Sequence, residues 1–416
     1  MSHIVFISPY YVPEKAAAAV CVSENAKRLA QKGHQVTVLT TFPNYPTGII
    51  FPEYRKKNFT QEIIDQVRVI RIWSYATANE GILLRLLSHL SFALLAPAFG
   101  AAKVGHPDCI IVQSPPLFDA IAVRLLAWWK KCPFIFMVSD LWPESAIQLG
   151  MLKNPILIAL AEWLEWSTYQ RAQLVWAVTE EMKTTLLQRG LAPEQVCLLT
   201  NGVDTVKFHP MDQQDARLAL GWSDHFIVLY AGTHGLSHGL MTVLEAAELL
   251  LAHTNIHFVL MGDGAEKEQL VVQARQRNIS NVTFIDPLPH DMVPIAIAAS
   301  DVCLAHTRRI AIFRGMLPIK MYEAMACGKP LILALNGEAQ RVAVKEAQAA
   351  LHVEPEHAGA LARSVLILYS QPELRRELGL HGRSYVLSHY AYDLLVDRLD
   401  EKIAQVVDAY QRKRRC

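Results

Sequence analysis

The residues best suited to chemistry lie in one segment, Arg314-Gly-Met-Leu-Pro-Ile-Lys-Met-Tyr-Glu-Ala-Met-Ala-Cys-Gly-Lys-Pro330. Pro318 is well placed to begin a helix, which puts Lys320 and Glu323 in its first two turns and on one face. Lys320 could neutralise phosphate charge, and Glu323 could accept hydrogen bonds from ribose hydroxyls. A surface salt bridge between the two side chains is the alternative interpretation of the same spacing.

A glycine-rich turn, Tyr230-Ala-Gly-Thr-His-Gly-Leu-Ser-His-Gly239, follows an apolar strand and leads into a helix expected to begin near residue 240. Gly232 and Gly235 permit close approach of the backbone, and the helix N-terminus adds about half an elementary positive charge. A diphosphate would fit such a turn, and His238 would add a hydrogen-bond donor. A purely structural turn with a solvent-facing histidine is the alternative.

Apolar strand-like runs alternate with segments of helical periodicity, and they do so in two series. The first series lies at 4–8, 36–41, 67–73, 109–113, 134–139, 175–178 and 196–199, and the second at 227–231, 257–261, 282–285, 302–305, 331–334 and 351–353. Such alternation predicts parallel sheets with helical crossovers. We therefore predict an α/β protein of two Rossmann-like domains, 1–203 and 204–387, with a C-terminal helix at 388–416 that returns to the first domain.

The composition suits a two-domain protein that folds by burial of apolar surface: of 416 residues, 52% are hydrophobic and 19% charged. The formal charge of +1 argues against nucleic acid as a partner. The seven cysteines are scattered without a C-x-x-C spacing, which predicts reduced thiols and no zinc site. The N-terminus enters a strand pattern without a signal-peptide pattern, so we expect a cytoplasmic protein.

Four segments bear on contact with a membrane. The apolar stretch 82–103 is interrupted by Arg85, Ser88, His89 and Pro97, so we do not predict a transmembrane span. Aromatic residues recur near one helical face at Trp163, Trp166 and Tyr169, and Trp128-Trp129-Lys130-Lys131 adds basic character. These features predict peripheral contact with anionic lipid, with core packing as the alternative. The basic C-terminal residues 412–416 are expected either to form a solvated tail or to add attraction to anionic lipid.

Several stretches occur in the same order as in the family 4 retaining glycosyltransferases of the two-domain GT-B fold, which the chain resembles over nearly its whole length. They are Ser8-Pro-Tyr-Tyr-Val-Pro-Glu14, Gly33-His34, Phe42-Pro-Asn-Tyr-Pro-Thr-Gly48, Asp140-Leu-Trp-Pro-Glu-Ser145, Asn201-Gly-Val-Asp204 and Tyr322-Glu-Ala-Met-Ala-Cys-Gly-Lys-Pro330. The third and fourth stretches resemble the WbuB-type subgroup, which builds O-antigen or capsule repeat units. The resemblance implies two domains whose parallel sheets face an interdomain cleft, the first binding the acceptor and the second the nucleotide sugar.

The resemblance also implies roles for individual residues. Glu323 matches the glutamate that binds the nucleotide ribose, and Lys320 a basic residue near the diphosphate. Gly232 and Gly235 match the phosphate-facing turn, and the Asp286-Pro-Leu-Pro289 loop falls where the family holds the base. Asp140 lies near the position of an acceptor-side histidine, and we expect it to orient or deprotonate the acceptor hydroxyl; an N-cap or strand-end aspartate is the alternative.

Three positions depart from the family pattern. Gly315 stands where members commonly carry the first of two glutamates, Thr233 where many have an arginine, and His238 where they have a lysine. Arg314 and Lys320 are candidates to compensate for the missing positive charge. The predicted catalytic residues are therefore Asp140, Lys320 and Glu323, and the other donor-binding residues are Gly232, Thr233, Gly235, His238, Asp286 and Arg314.

The implied reaction moves a hexosyl or N-acetylhexosaminyl group from a UDP- or GDP-linked donor to a saccharide acceptor, which the resemblance to this subgroup implies is lipid-linked. The resemblance implies retention, and no acidic D-x-D motif stands out, so no metal or other cofactor is expected. A nucleotide-sugar 2-epimerase and a non-catalytic sugar-nucleotide-binding protein are the alternatives. A NAD-linked dehydrogenase fits less well, because no G-x-G-x-x-G fingerprint follows the first strand.

Overall fold

The computed structural model describes residues 1–14, 16–45, 47–77, 82–148 and 150–415, and the chain separates into two compact units. The first unit is Met1–Asn201 with Tyr392–Cys416, and the second is Gly202–Ala391. The sequence-based boundaries at 203/204 and 387/388 differ from these by a few residues. Pro46, inside one of the stretches that carry the family resemblance, and Cys416, at the end of the basic tail, are outside the described residues.

The first unit is built on a sheet that has eight strands within the described residues, in the order β3-β4-β2-β1-β5-β6-β7-β8. All neighbouring pairs are parallel except β3 with β4. The strands are β1 (His3–Ile7), β2 (Gln35–Thr41), β3 (Phe59–Ile64), β4 (Val67–Ile72), β5 (Cys109–Ser114), β6 (Phe134–Val138), β7 (Leu174–Ala177) and β8 (Val196–Leu198). The crossover helices are α1 (Ala17–Gln31), α2 (Ile82–Lys103), α3 (Asp119–Lys130), α4 (Glu144–Gln148), α5 (Pro155–Tyr169) and α6 (Glu180–Gln188).

The second unit is built on a fully parallel sheet in the order β11-β10-β9-β12-β13-β14. Its strands are β9 (Phe226–Ala231), β10 (Ile256–Met261), β11 (Val282–Ile285), β12 (Val302–His306), β13 (Leu331–Ala334) and β14 (Ala350–His352). Its helices are α7 (Gln213–Leu220), α8 (Met241–Leu249), α9 (Lys267–Gln276), α10 (Val293–Ala299), α11 (Ile319–Ala326), α12 (Glu338–Gln340), α13 (Ala358–Ser370) and α14 (Pro372–His389). The prediction of two Rossmann-like α/β domains is confirmed, and every predicted strand is present.

One strand, β3, has no counterpart in the prediction. It is an antiparallel edge strand whose residues alternate between exposed and half-buried, and half of them are polar, so it lacks the apolar run of a central parallel strand. A two-residue turn joins it to β4, and both turn residues, Asp65 and Gln66, have positive φ. Such a turn matches the twist of a hairpin, but its usual Asn-Gly signature is missing from the sequence.

The C-terminal helix α15 (Tyr392–Arg415) belongs to the first unit. Its apolar face, which includes Val396, Leu399 and Ile403, is buried in the core beside α1. Arg28 of α1 pairs with Asp393 at 2.8 Å, and Lys32, directly after α1, pairs with Asp397 at 2.7 Å and with Asp400 at 3.6 Å. The His34 Nε2 lies 3.0 Å from the Asp400 Oδ1. This amphipathic pattern explains why a helix with no following strand packs onto a sheet distant in sequence.

Helix α2 contains an 18-residue stretch, Leu86–Lys103, that is long and apolar enough to cross a membrane by length and composition. Phe92 and Ala96 are buried in the protein, but only 28% of the stretch is buried, and Leu87, Leu94 and Phe99 are exposed. Pro97 lies inside the helix. The described cysteines, Cys21, Cys109, Cys132, Cys197, Cys303 and Cys327, are free thiols in buried positions.

The predicted interfacial aromatic face of α5 is only partly present. Tyr169 is buried and donates a hydrogen bond from its hydroxyl to the Glu165 carboxylate at 2.7 Å, and Trp166 packs against the core. Both therefore belong to the core, which corrects the prediction for them, while Trp163 is 62% exposed. The other predicted aromatic pair, Trp128 and Trp129 on α3, is also exposed.

Candidate active site

The carboxyl ends of three neighbouring strands in the second unit form the candidate site. The glycine-rich turn follows β9, the Gly262-Asp-Gly264 turn follows β10, and His306 ends β12. Helix α11 begins at Ile319, directly after Pro318, as the spacing predicts. Ligands of open parallel sheets bind at the carboxyl edge, so the fold indicates that a ligand binds here.

Gly232, like Gly239 at the end of the turn, has a positive φ that favours glycine. Its φ is +150°, and a Cβ atom added there would lie 2.5 Å from the Lys320 Nζ. In the next turn, a Cβ on Gly262 would overlap the Gly232 carbonyl oxygen. Gly235 is different: its φ is negative and the nearest atom to an added Cβ is 3.5 Å away, so the fold does not require glycine there.

The amides at the start of the turn are used within the protein. The Gly232 N–H donates to the Met261 carbonyl at 2.9 Å, and the His234 N–H donates to the Asp263 carbonyl at 2.8 Å. These bonds fix the turn against the neighbouring loop. They also correct the expectation that the Gly232 N–H is open to phosphate, so a bound anion depends more on side chains.

Lys320 and Glu323 lie on α11 at the edge of this turn. The Lys320 Nζ is 3.9 Å from the centre of the Tyr230 ring and has no hydrogen-bond partner among the described residues. Burial lowers the pKa of Lys320 to about 7, and burial raises the pKa of the half-buried Glu323 to about 7. The described part of the chain has no ion pair between these two side chains, so the surface salt bridge is not the arrangement observed.

Two histidines lie beside the same tyrosine, and a third contacts one of them. The ring of His234 is fully buried, 5.9 Å from Tyr230, and the ring of His238 is 6.2 Å from Tyr230. The Nδ1 of His306 is 2.6 Å from the His238 carbonyl oxygen, which makes it a donor. Sequence reasoning singled out only His238, although His234 lies in the same turn and could have been found from its histidine and glycine pattern.

Burial sets the protonation of these histidines. It lowers the pKa of His234 to about 4, with Lys267 and Lys320 adding repulsion, and that of His238 to about 4, with Lys320 adding repulsion. Burial also lowers the pKa of His306. Within the described residues, no group of three or more His, Cys, Asp or Glu side chains is placed to hold a metal ion.

Three other predicted donor residues are exposed. Thr233 is exposed, and its carbonyl accepts a hydrogen bond from the Tyr230 hydroxyl at 2.8 Å. Asp286 is exposed and forms an ion pair with Lys267. Arg314 is exposed on the short 3-10 helix Ala311–Gly315.

Asp140 lies in the first unit, just beyond the carboxyl end of β6. Its Oδ2 accepts a hydrogen bond from the Ser145 hydroxyl at 2.8 Å. Burial raises the pKa of this carboxyl group, and the Ser145 hydrogen bond opposes the shift. The side chain is half-buried and held in one orientation, which suits a group that positions or accepts a proton.

Glu14 joins two of the stretches that carry the family resemblance. Its Oε1 accepts from the backbone N–H groups of Asn44 at 2.8 Å and Tyr45 at 2.9 Å, and its Oε2 accepts from Tyr11 at 3.2 Å. Burial raises the pKa of this carboxyl, and the three N–H donors oppose the shift. The loops after β1 and β2 are therefore held together by one buried side chain, which the sequence did not reveal.

Two family models match the chain, one to each half. Residues 16–202 match the glycosyl transferase 4-like domain, and residues 212–385 match the glycosyl transferases group 1. WcaI of Escherichia coli K12, named as a glycosyl transferase of colanic acid biosynthesis, is 28% identical over 381 residues, which are 88% of this chain and 93% of that protein.

Solved structures share the fold. Sucrose-phosphate synthase from Thermosynechococcus elongatus has a TM-score of 0.81 at 20% identity, covering 98% of this chain and 100% of that one. Anabaena Alr3699/HepE, solved in complex with UDP and glucose, has a TM-score of 0.73 at 17% identity, covering 97% and 100%. WaaG, a glycosyltransferase involved in lipopolysaccharide biosynthesis, has a TM-score of 0.67 at 16% identity, covering 96% and 99%. Neither the epimerase nor the non-catalytic alternative is favoured by these similarities.

Proposed function

Since this chain is a GT-B glycosyltransferase that acts on nucleotide sugars, with a family 4-like domain followed by a group 1 domain, we propose that its acceptor is a lipid-linked saccharide. The donor is a UDP- or GDP-linked hexose or N-acetylhexosamine, and the sugar is transferred with retention and without a metal. The similarity to WcaI supports a role in the synthesis of a surface polysaccharide, as the WbuB-type stretches do.

The observation that carries the donor assignment is the unpartnered Lys320 Nζ on the Tyr230 ring, beside Gly232 and three residues from Glu323. A buried ammonium without a hydrogen-bond partner among the described residues is costly until an anion arrives. The diphosphate supplies that anion at Lys320, and the ribose hydroxyls donate to Glu323. Thr233, Gly235, His238 and Arg314 contact the diphosphate, and Asp286 lies beside the base.

The reaction breaks the bond between the anomeric carbon and the β-phosphate oxygen, so negative charge builds on the leaving diphosphate. Lys320 and the side-chain donors of the turn stabilise that charge. Asp140 accepts or orients the proton of the acceptor hydroxyl that forms the new bond to the anomeric carbon. Retention follows from attack on the same face that the diphosphate leaves, with the departing phosphate assisting the incoming hydroxyl.

Peripheral contact with the membrane is supported by the outer faces of α3 and α5. Trp128 and Trp163 are exposed, and Ile156 and Leu160 add exposed aliphatic surface on α5. The Arg124 guanidinium lies 5.7 Å from the centre of the Trp163 ring, which places a cation between the two helices. Aromatic and aliphatic side chains beside cations suit an anionic bilayer surface, and we place the enzyme at the cytoplasmic face of the membrane.

The donor is tested by thermal-shift measurements with UDP, GDP, ADP and their sugars, because a ligand that binds the folded state raises its stability. The preferred donor is then incubated with lipid-linked saccharides, with and without EDTA, and the anomeric configuration of the product is read by NMR. We expect an EDTA-resistant transfer that keeps the donor configuration. Binding of a donor without transfer to any saccharide would favour a non-catalytic protein, and conversion of the donor into its C2 epimer without an acceptor would favour an epimerase.

A further inference from the structure

The carboxyl edge of the second sheet holds more buried nitrogen atoms than the protein itself can satisfy. Among the described residues, both ring nitrogens of His234, the Nδ1 of His238, the Nε2 of His306 and the Nζ of Lys320 are buried without a hydrogen-bond partner. His234 is fully buried and His306 is almost fully buried. Buried polar groups are normally paired, so a cluster of unpaired ones at a ligand-binding edge indicates a missing partner.

These nitrogens belong to one neighbourhood. Lys320, His234 and His238 all pack around the Tyr230 ring, and His306 contacts the His238 carbonyl. A Cβ added to Gly239 would lie 3.3 Å from the His306 ring, which shows how closely β12 approaches the turn. All four side chains are cationic or able to become so, and an anion is the partner that suits all of them.

We propose that His234, His238, His306 and Lys320 form a cradle that takes up protons from solvent when the diphosphate of a donor binds, and returns them when the nucleotide leaves. This inference rests on the proposed function and adds His234 and His306 to its donor site. Each imidazole gains its proton on a ring nitrogen that has no partner in the free protein, and no covalent bond of the donor changes in this step. Binding of the donor is therefore coupled to pH.

The surroundings of the cradle explain why its three imidazoles are neutral before the donor arrives. Desolvation by burial disfavours the cationic forms, and Lys267 and Lys320 add repulsion at His234. The opposing acids are Asp263 at His234, Glu323 at Lys320 and Glu356 at His306.

Two nearby cations already have acidic partners, since Lys267 pairs with Asp286, and Arg308 pairs with Glu266 at 3.4 Å. A diphosphate placed among the imidazoles reverses the balance, because an adjacent negative charge favours their protonated forms.

The experiment is calorimetry of donor binding to the whole protein in two buffers with different enthalpies of ionisation. The probes are UDP-glucose, UDP-N-acetylglucosamine and GDP-mannose, whose diphosphates are esterified at both ends and keep a fixed charge near neutral pH. We expect uptake of about one proton at pH 7, which means that the affinity rises about tenfold as the pH falls by one unit.

Two variants assign the protons. His234→Gln keeps a donor that cannot titrate, and His306→Asn keeps an N–H for the His238 carbonyl. Each should take up fewer protons than the wild type and bind the donor several-fold more weakly, and the double variant should keep only the part of the pH dependence that His238 and Lys320 supply. His257→Gln is the matched control. Burial also lowers the pKa of His257, but His257 lies near the amino end of β10, away from the cradle, where its Nε2 is hydrogen-bonded with the Thr283 hydroxyl.

The outcomes separate this inference from the proposed function. Tight donor binding by the wild type without proton uptake would overturn the cradle and leave the transferase proposal intact. Unchanged proton uptake in folded His234→Gln and His306→Asn proteins would also overturn it. If none of the nucleotide sugars bound, the proposed donor site and the cradle would both be contradicted. The measurement of proton uptake by the wild-type protein tests the cradle even if a variant does not fold.

Discussion

Replacing Lys320 by methionine keeps the length of the side chain and removes its charge, and it should make the protein more stable and less able to bind its donor. The Lys320 ammonium is buried on the Tyr230 ring and has no hydrogen-bond partner among the described residues. An unsatisfied buried polar group costs about 1–3 kcal/mol. Methionine removes that cost, and its sulfur replaces part of the cation–π contact by packing on the same ring.

The expected gain depends on pH in a definite direction. Burial lowers the pKa of Lys320 to about 7, whereas an unfolded lysine titrates near 10.4. Below pH 7 the ammonium is charged in both states, so the penalty on the folded state is fully present. As the pH rises above 7, only the folded state loses the proton, and the penalty falls. The advantage of Lys320→Met over wild type should therefore be largest at or below pH 7 and smaller at pH 9.

Thermal unfolding and donor titration measure both effects. A gain of this size raises the melting temperature by about 2–10 °C for a domain of this length. Loss of a charged hydrogen bond to the diphosphate weakens donor binding by roughly 10- to 100-fold. Lys329→Met is the matched control, since burial also lowers the pKa of Lys329, which lies near the amino end of β13, at the other edge of the sheet. A Lys320→Met protein that is less stable at pH 7 and binds its donor normally would refute the reasoning.

Three further predictions use other parts of the site. Gly232→Ala should weaken donor binding roughly tenfold, because the added methyl group displaces the Lys320 ammonium, whereas Gly235→Ala should bind like wild type; calorimetry compares the two. Asp140→Asn should lower the rate of transfer by about 100-fold or more while leaving donor affinity unchanged, and an equal loss in both measurements would assign Asp140 to folding. Burial raises the pKa of Glu323 to about 7 from an unfolded value near 4.3, so the contribution of Glu323 to wild-type stability, measured relative to Glu323→Gln, should fall as the pH rises between these values. Urea denaturation of Glu323→Gln should lack this fall, and a parallel pH profile would contradict the assignment.

The fold was largely predictable from the sequence because its central strands are buried on both faces. Such strands read as unbroken apolar runs, and the two series of runs gave both sheets. Strand β3 was not predicted because an edge strand needs only one apolar face, and apolar and polar residues do not alternate regularly along its sequence. Trp166 and Tyr169 were assigned to the surface because spacing along α5 does not tell which face of the helix meets the sheet; the buried hydrogen bond between Tyr169 and Glu165 shows that this face is internal.

The candidate site was predictable only in part. The spacing of Lys320 and Glu323, together with Pro318, was enough to place both on one helix that begins at Ile319. His306 could not be connected with the glycine-rich turn, because β12 becomes the neighbour of β9 only through the order of strands in the sheet. The hydrogen bonds of Glu14 to the loop after β2 depend on tertiary structure in the same way.

The central claim is that the carboxyl edge of the second sheet binds the diphosphate of a nucleotide sugar, and a crystal structure with the preferred donor tests it most directly. The account predicts diphosphate oxygens within about 2.7–3.2 Å of the Lys320 Nζ and ribose hydroxyls within the same distance of the Glu323 carboxylate. A diphosphate bound elsewhere, with Lys320 still resting unpaired on Tyr230, would contradict it.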